Sequence, residues 1–176
     1  FISHTKNETT AERELVSELM AVTRSIISQT RLGNFFDTHD LQPGRDWGQA
    51  LEQRAASHAM LAICTDLYAS RAWCQREMLL AKRAGMPIVI LEALSRGDER
   101  GSFLMDHVPR VPIHRTADGW RSDDVAAGLN LLVDECLKHA LWERQLRLAA
   151  NRADMGIARR APRAPEPMTQ AGRLTQ

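Results

Sequence analysis

The sequence predicts an α/β domain: a parallel sheet of about five strands, helices on both faces, and a long helix at the C-terminal end. Three observations predict it. Met60-Leu61-Ala62-Ile63-Cys64-Thr65 and Pro87-Ile88-Val89-Ile90-Leu91 are short, nearly continuous apolar runs, as strands covered on both faces require. Segments of helical periodicity alternate with these runs, and that alternation implies parallel pairing through crossover helices. Right-handed crossovers then give a small doubly wound domain. The length, 176 residues, suits one such domain with a short remainder.

The elements follow in order. Phe1-Ile2-Ser3-His4 reads as the tail end of a first strand whose start is expected to precede Phe1. Thr9 and Glu12 fit a capping box. Leu15, Val16, Leu19, Met20, Thr23, Ile26 and Ile27 then recur at helical spacing, and Gly33 is placed to end that region. Asn34-Phe35-Phe36-Asp37 is a short second strand, and Asp46 with Gln49 can cap the next helix. After the Met60 run, Ser70 is expected to cap a helix reaching about Ala84, ended by Gly85 and Pro87. The Pro87 run is the fourth strand. Residues 94–109 read as loop with one helical turn. Arg110-Val111-Pro112-Ile113-His114 is a weaker fifth strand whose proline suggests a sheet edge. An amphipathic helix runs from Asp123 to about Ala153, with Val125, Leu129, Leu132, Val133, Cys136, Leu137, Ala140 and Leu141 as its apolar stripe. The domain is expected to span 1–153. Residues 154–176 carry Pro162, Pro165 and Pro167 among arginines, and are expected to be a linker to a further, ligand-sensing domain.

Composition excludes several classes. Lys plus Arg number 23 and Asp plus Glu 22, a balance that gives no reason to invoke nucleic acid or an anionic membrane as the main partner. No apolar run approaches the roughly 18 residues of a membrane span. Cys64, Cys74 and Cys136 form neither a disulfide framework nor a zinc pair, and point to a reducing compartment, the cytoplasm. The six histidines form no cluster, so no metal is expected. Neither a dinucleotide fingerprint nor a P-loop is present.

Ligands of an open parallel sheet bind at the carboxyl ends of its strands. Four segments should meet there: His4 to Asn7, Asp37 to Asp46, Thr65 to Trp73, and Glu92 onward. Glu77 is the sharpest candidate. It lies four residues after Trp73, on the same helix face, and helical side chains lean towards the N-terminus. A carboxylate beside an indole wall can hold a sugar hydroxyl and stabilise a developing positive charge at a ribose carbon. The same spacing also describes an exposed glutamate pairing with Arg76 or Arg83. Asp40-Leu41-Gln42-Pro43-Gly44-Arg45-Asp46 is the second feature. Pro43-Gly44 suits the centre of a type II turn and would present Leu41 at a loop tip; an ordinary strand-to-helix loop fits too. Cys74 reads as a half-buried core cysteine. Asp66 lacks the acidic pair a phospho-acceptor needs, since Ser3 and His4 stand there.

Taken together, these segments resemble a Toll/interleukin-1 receptor (TIR) domain of the bacterial NAD+-hydrolase type. Phe1 to His4 is similar to the family's first strand, Phe36 to Gly44 to its second strand and BB loop, Tyr68 to Glu77 to the segment carrying its catalytic glutamate, and Pro87 to Leu91 to its fourth strand. The resemblance covers roughly residues 1–145 and implies a flavodoxin-like fold. It implies cleavage of NAD+ at the nicotinamide–ribose bond, giving nicotinamide with ADP-ribose or a cyclised form. NAD+ would be a consumed substrate, and no cofactor is implied. It places Glu77 at the catalytic position and Trp73 where an aromatic stacks on the dinucleotide. His4, Lys6, Asp37, Trp47 and Ser70 fall among the expected substrate-binding positions. Asp40, Leu41, Gln42, Pro43, Gly44 and Arg45 form the loop that would join TIR domains into active oligomers. Gln42 stands where the best-known animal enzyme has a carboxylate. By the same resemblance the setting would be antiphage defence. The alternative is a non-catalytic TIR module that signals by BB-loop assembly alone.

Overall fold

A computed structural model of the chain describes residues 1–5, 10–30, 59–95 and 103–154. Its central sheet contains β1 (Ile2–Ser3), β2 (Met60–Cys64), β3 (Ile88–Glu92) and β4 (Arg110–Pro112) in the order β1-β2-β3-β4. Every pairing is parallel, with Ser3 opposite Ala62, Ala62 opposite Ile90, and Glu92 opposite Pro112. Pro112 sits in the last strand of this order, where a missing N–H donor disturbs no further ladder. The expected second strand at Asn34–Asp37, the caps at Thr9 and Asp46, Gly33 and the segment 155–176 lie outside the described residues.

Strand side chains alternate between two cores, as the pleat dictates. Ile2, Leu61, Ile63, Val89 and Leu91 face one side. There they meet Val16, Leu19, Met20 and Ile27 of α1 (Thr10–Ser28) and Val125, Leu129 and Leu132 of α3 (Ser122–Asp154). Met60, Ala62, Cys64, Ile88 and Ile90 face the other side. They meet Cys74, Met78 and Ala81 of α2 (Ala72–Arg83), together with Tyr68, Met86, Met105 and Val108. Both faces of the sheet are thus covered, and the fold is α/β and flavodoxin-like.

Local chemistry sets the element ends. α2 stops at Ala84, after which Gly85 takes φ 67°. The Gly85 N–H donates to Lys82 O and the Met86 N–H to Ala81 O, the paired bonds that satisfy a helix's last carbonyls. The start of α2 differs from expectation. Tyr68–Ser70 form a 3₁₀ turn, and Arg71 is the N-cap, with no side-chain capping bond. Ser70 Oγ donates back to Leu67 O at 2.8 Å, so its hydroxyl serves the turn before the helix instead.

A small hairpin unforeseen in the sequence, β5 (Arg115–Thr116) and β6 (Gly119–Trp120), docks on α1. Trp120 Nε1 donates to Leu15 O at 3.1 Å, Arg115 pairs with Glu18 at 3.0 Å, and the Arg115 guanidinium lies over the Trp120 ring. Gly119 has φ 110°, and a Cβ there would come within 2.5 Å of Glu18 Oε1. Asp118-Gly119 is the signal that could have revealed this turn.

The chain divides into two compact units, Phe1–Leu132 and Val133–Gln176. In the second, the described residues continue α3, laced by Glu135–Lys138 and Glu143–Arg147 pairs, with Trp142 buried. Leu137 and Leu141, expected within the buried stripe, are exposed. The stripe predicted from periodicity is therefore a core stripe only as far as Leu132.

α3 crosses the sheet closely at Gly128, where an added Cβ would collide with Leu91 Cδ2. Leu91 is fully buried and cannot swing away. Gly128→Ala is expected to destabilise the domain by about 1 kcal/mol or more, overpacking outweighing the better helix propensity of alanine. Urea unfolding of the two proteins measures the difference.

Candidate functional site

Glu77 occupies a position the helix period assigns to the core. The buried residues of α2 are Cys74, Glu77, Met78 and Ala81, one face at i, i+3, i+4 and i+7. Glu77 is only 1% exposed. The alternative of an exposed glutamate does not hold. A carboxylate in such a stripe must have donors supplied by the protein. Trp73 Nε1 donates to Glu77 Oε1 at 2.7 Å, as the four-residue spacing predicts. Ser3 Oγ donates to Glu77 Oε2 at 2.5 Å. Ser3 is the last residue of β1, so the carboxylate lies at that strand's carboxyl end, on the ligand edge of the sheet.

Tyr68 completes the cluster. Its hydroxyl lies 2.6 Å from Ser3 Oγ. It is the chain's only tyrosine. Burial pushes its phenol well above the usual tyrosine range. The nearby Cys74, Glu77 and Cys64 groups add to the rise. Around this centre the strand ends are stitched together. Thr5 Oγ1 meets Thr65 Oγ1 at 3.3 Å, and Cys74 Sγ lies 3.8 Å from His4 O. Cys74, expected half-buried, is fully buried.

The other expected site residues divide into four groups. Trp73 is 47% exposed, with Arg76 over its ring at 5.9 Å, so the indole joins the buried carboxylate to the surface. His4 is buried, and its Nδ1 lies 2.9 Å from Thr5 O, which makes Nδ1 the protonated ring nitrogen in that contact. Ser70 is exposed, with its hydroxyl bonded to Leu67 O. Lys6, Asp37, Asp40, Leu41, Gln42, Pro43, Gly44, Arg45 and Trp47 lie outside the described residues.

Three residues were missed in the sequence. Ser3 and Tyr68 contact Glu77 or its partner directly. The signal for them was available only in part: strand alternation turns Ser3 to the face opposite Ile2, the face that α2 covers. Arg71, at the N-cap of α2, is the third. Its Nε is buried and has no hydrogen-bond partner among the described residues. Asp66 accepts from the Ser95 N–H at 2.9 Å and from Ser95 Oγ at 2.6 Å. Among the described residues, no group of three His, Cys, Asp or Glu side chains could hold a metal ion, and no helix is long and apolar enough to cross a membrane.

The parallel sheet, covered on both faces, agrees with the family comparison. A family model described as "TIR domain" matches residues 1–133. The chain belongs to the TIR-domain family. No curated protein matches it. TIR domains include NAD+-cleaving enzymes as well as scaffolds, and they commonly interact with one another.

Tyr68 gives a direct check on this site. Its folded-state pKa is raised, so its contribution to stability is complete below about pH 10 and is lost as the pH rises through the native value. Absorbance near 295 nm should show almost no tyrosinate in the native protein at about pH 10.5, whereas the urea-unfolded chain should be largely ionised there.

Proposed function

We propose that this TIR domain is an NAD+ glycohydrolase with Glu77 as its catalytic carboxylate. The observation that carries the proposal is the placement of Glu77: buried at the carboxyl end of β1, with both oxygens held and a half-exposed indole beside it. The reaction asks little else of the protein. The pyridinium nitrogen of NAD+ takes the bonding pair when its bond to the ribose C1′ breaks, so nicotinamide leaves neutral and no general acid is needed. Positive charge develops on the ribose, where a fixed carboxylate stabilises it. Water then adds at C1′ and loses a proton, giving ADP-ribose; attack by a group of the same nucleotide would give a cyclic product. Trp73 offers a ring face for stacking. Arg71 offers a cationic donor to the dinucleotide's phosphates.

Several expectations join this reading as proposals. Lys6, His4, Asp37, Trp47 and Ser70 would contact the substrate. The BB loop, Asp40 to Arg45, would complete the pocket of a neighbouring copy, so that activity follows oligomerisation. Residues 154–176 would link the domain, spanning 1–153, to a ligand-sensing partner domain whose ligand drives assembly. The setting would be the cytoplasm, in antiphage defence, where NAD+ loss halts the infected cell.

The near-complete burial of Glu77 favours a second reading, a scaffold in which the carboxylate only braces α2 against β1. Nicotinamide release from NAD+ by the full chain at high concentration separates the two. Under the enzyme reading, Glu77→Gln lowers release by about 100-fold or more. Equal release by both proteins, or none from either in the assembled state, leaves the scaffold.

BB-loop docking has its own test. Proline cannot adopt the positive φ that a type II turn centred on Pro43-Gly44, as expected from the sequence, would ask of Gly44. Gly44→Pro is expected to abolish assembly in light scattering while the circular dichroism spectrum stays that of the wild type.

A further inference from the structure

We propose that Ser3 and Tyr68 are positioning residues for Glu77: a hydrogen-bond chain from Tyr68 through Ser3 anchors Oε2, which leaves Oε1 as the oxygen that meets substrate on the Trp73 side. The role rests on Glu77 being the reactive carboxylate, as proposed above.

The direction of the chain follows from counting protons. A serine hydroxyl has one proton to give, and a carboxylate has none. Ser3 Oγ lies 2.5 Å from Glu77 Oε2, so the serine proton belongs to that contact. Ser3 must then accept from Tyr68, whose hydroxyl is 2.6 Å away. The reverse order would turn an oxygen lone pair on Ser3 towards a carboxylate oxygen and would leave the Tyr68 proton without an acceptor in a site from which water is excluded. Three separate elements contribute: β1, the 3₁₀ turn after β2, and α2. They lie 65 and 74 residues apart in the chain.

Burial distinguishes the two sides of the carboxylate. Ser3 is 0% exposed and Tyr68 1%, whereas Trp73 is 47% exposed. Oε2 therefore faces the fully buried pair, and Oε1 faces the indole that reaches solvent. The terminal torsion of a glutamate is soft and roughly two-fold, so nothing intrinsic to the side chain selects one oxygen. When a ligand engages the indole, the Ser3–Tyr68 chain remains to set the carboxylate plane. Fixed orientation of a charged group is what lets it stabilise a transition state without reorganising.

The test uses the full chain and NAD+, with folding followed by thermal melts. Ser3→Ala and Tyr68→Phe each delete one hydroxyl and little volume. Loss of a hydrogen bond to a charged group predicts a fall in kcat of about 10- to 100-fold for Ser3→Ala, and about tenfold for Tyr68→Phe, with KM for NAD+ within about twofold of wild type. The double variant should be no slower than Ser3→Ala, since both changes cut one chain. A second measurement needs no activity. Because Tyr68 is the only tyrosine, tyrosine labelled with carbon-13 at Cζ gives one NMR resonance. That resonance should shift in Ser3→Ala and again in Glu77→Gln. A wild-type kcat in both hydroxyl variants, or a Tyr68 signal unmoved by both Ser3→Ala and Glu77→Gln, overturns the positioning role while an inactive Glu77→Gln keeps the enzyme reading. Equal nicotinamide release from wild type and Glu77→Gln overturns both.

Discussion

Glu77 takes the place on α2 where an apolar side chain would complete the stripe of Cys74, Met78 and Ala81, so hydrogen bonds must meet its charge where water cannot. That requirement organises the neighbourhood. The donor on Oε2 comes from β1, the donor on Oε1 from the preceding turn of α2, and the serine donor leans in turn on Tyr68. Each such bond to a charged group is worth about 1.5–3 kcal/mol, and losing its donor would leave a buried oxygen unmet. The register of α2 against β1 is therefore set by polar geometry as well as by packing, because a helix rotated by one residue would carry the carboxylate away from Ser3, while Trp73, on the same helix, would move with it.

The layered fold brings these groups together. Strand alternation sends Ile2 into the core beneath α1 and α3 and turns Ser3 to the core beneath α2. Parallel pairing sets the carboxyl end of β1 beside β2, and the chain leaving β2 turns through Tyr68–Ser70 before α2 begins. The turn places Tyr68 under the sheet edge, and the unaided N-cap at Arg71 starts the helix two residues after it. An Arg at that cap satisfies no helix N–H, and its own Nε has no partner among the described residues.

Trp73 stands between this buried system and solvent. Its indole N–H is committed to the carboxylate, while its ring is half exposed and partly covered by the Arg76 guanidinium. Such a cation–π contact at an exposed site is worth about 0.5–1 kcal/mol, small enough for a planar ligand to displace. The same side chain can therefore hold the carboxylate and receive a ring. Of Ser3, Tyr68, Glu77 and Trp73, only Trp73 reaches solvent.

Much of this was legible in the amino-acid order. The apolar runs at Met60 and Ile88, the helix between them and its Gly85 stop, the edge proline at Pro112, and the Trp73–Glu77 spacing are local patterns, and local periodicity determines them. The hairpin at Arg115–Trp120, the exposure of Leu137 and Leu141, and the start of α2 at Ala72 instead of Ser70 were not legible, because each depends on what packs nearby. The pairing of Glu77 with Ser3 was equally hidden. An acidic residue in a helical stripe can be seen in a sequence, but its partner 74 residues away is chosen by sheet order and crossover, and no local propensity encodes that. Sequence alone determined which residues could carry charge and which faces were apolar; tertiary structure decided which charge was buried and what met it, since burial is a property of the assembled layers.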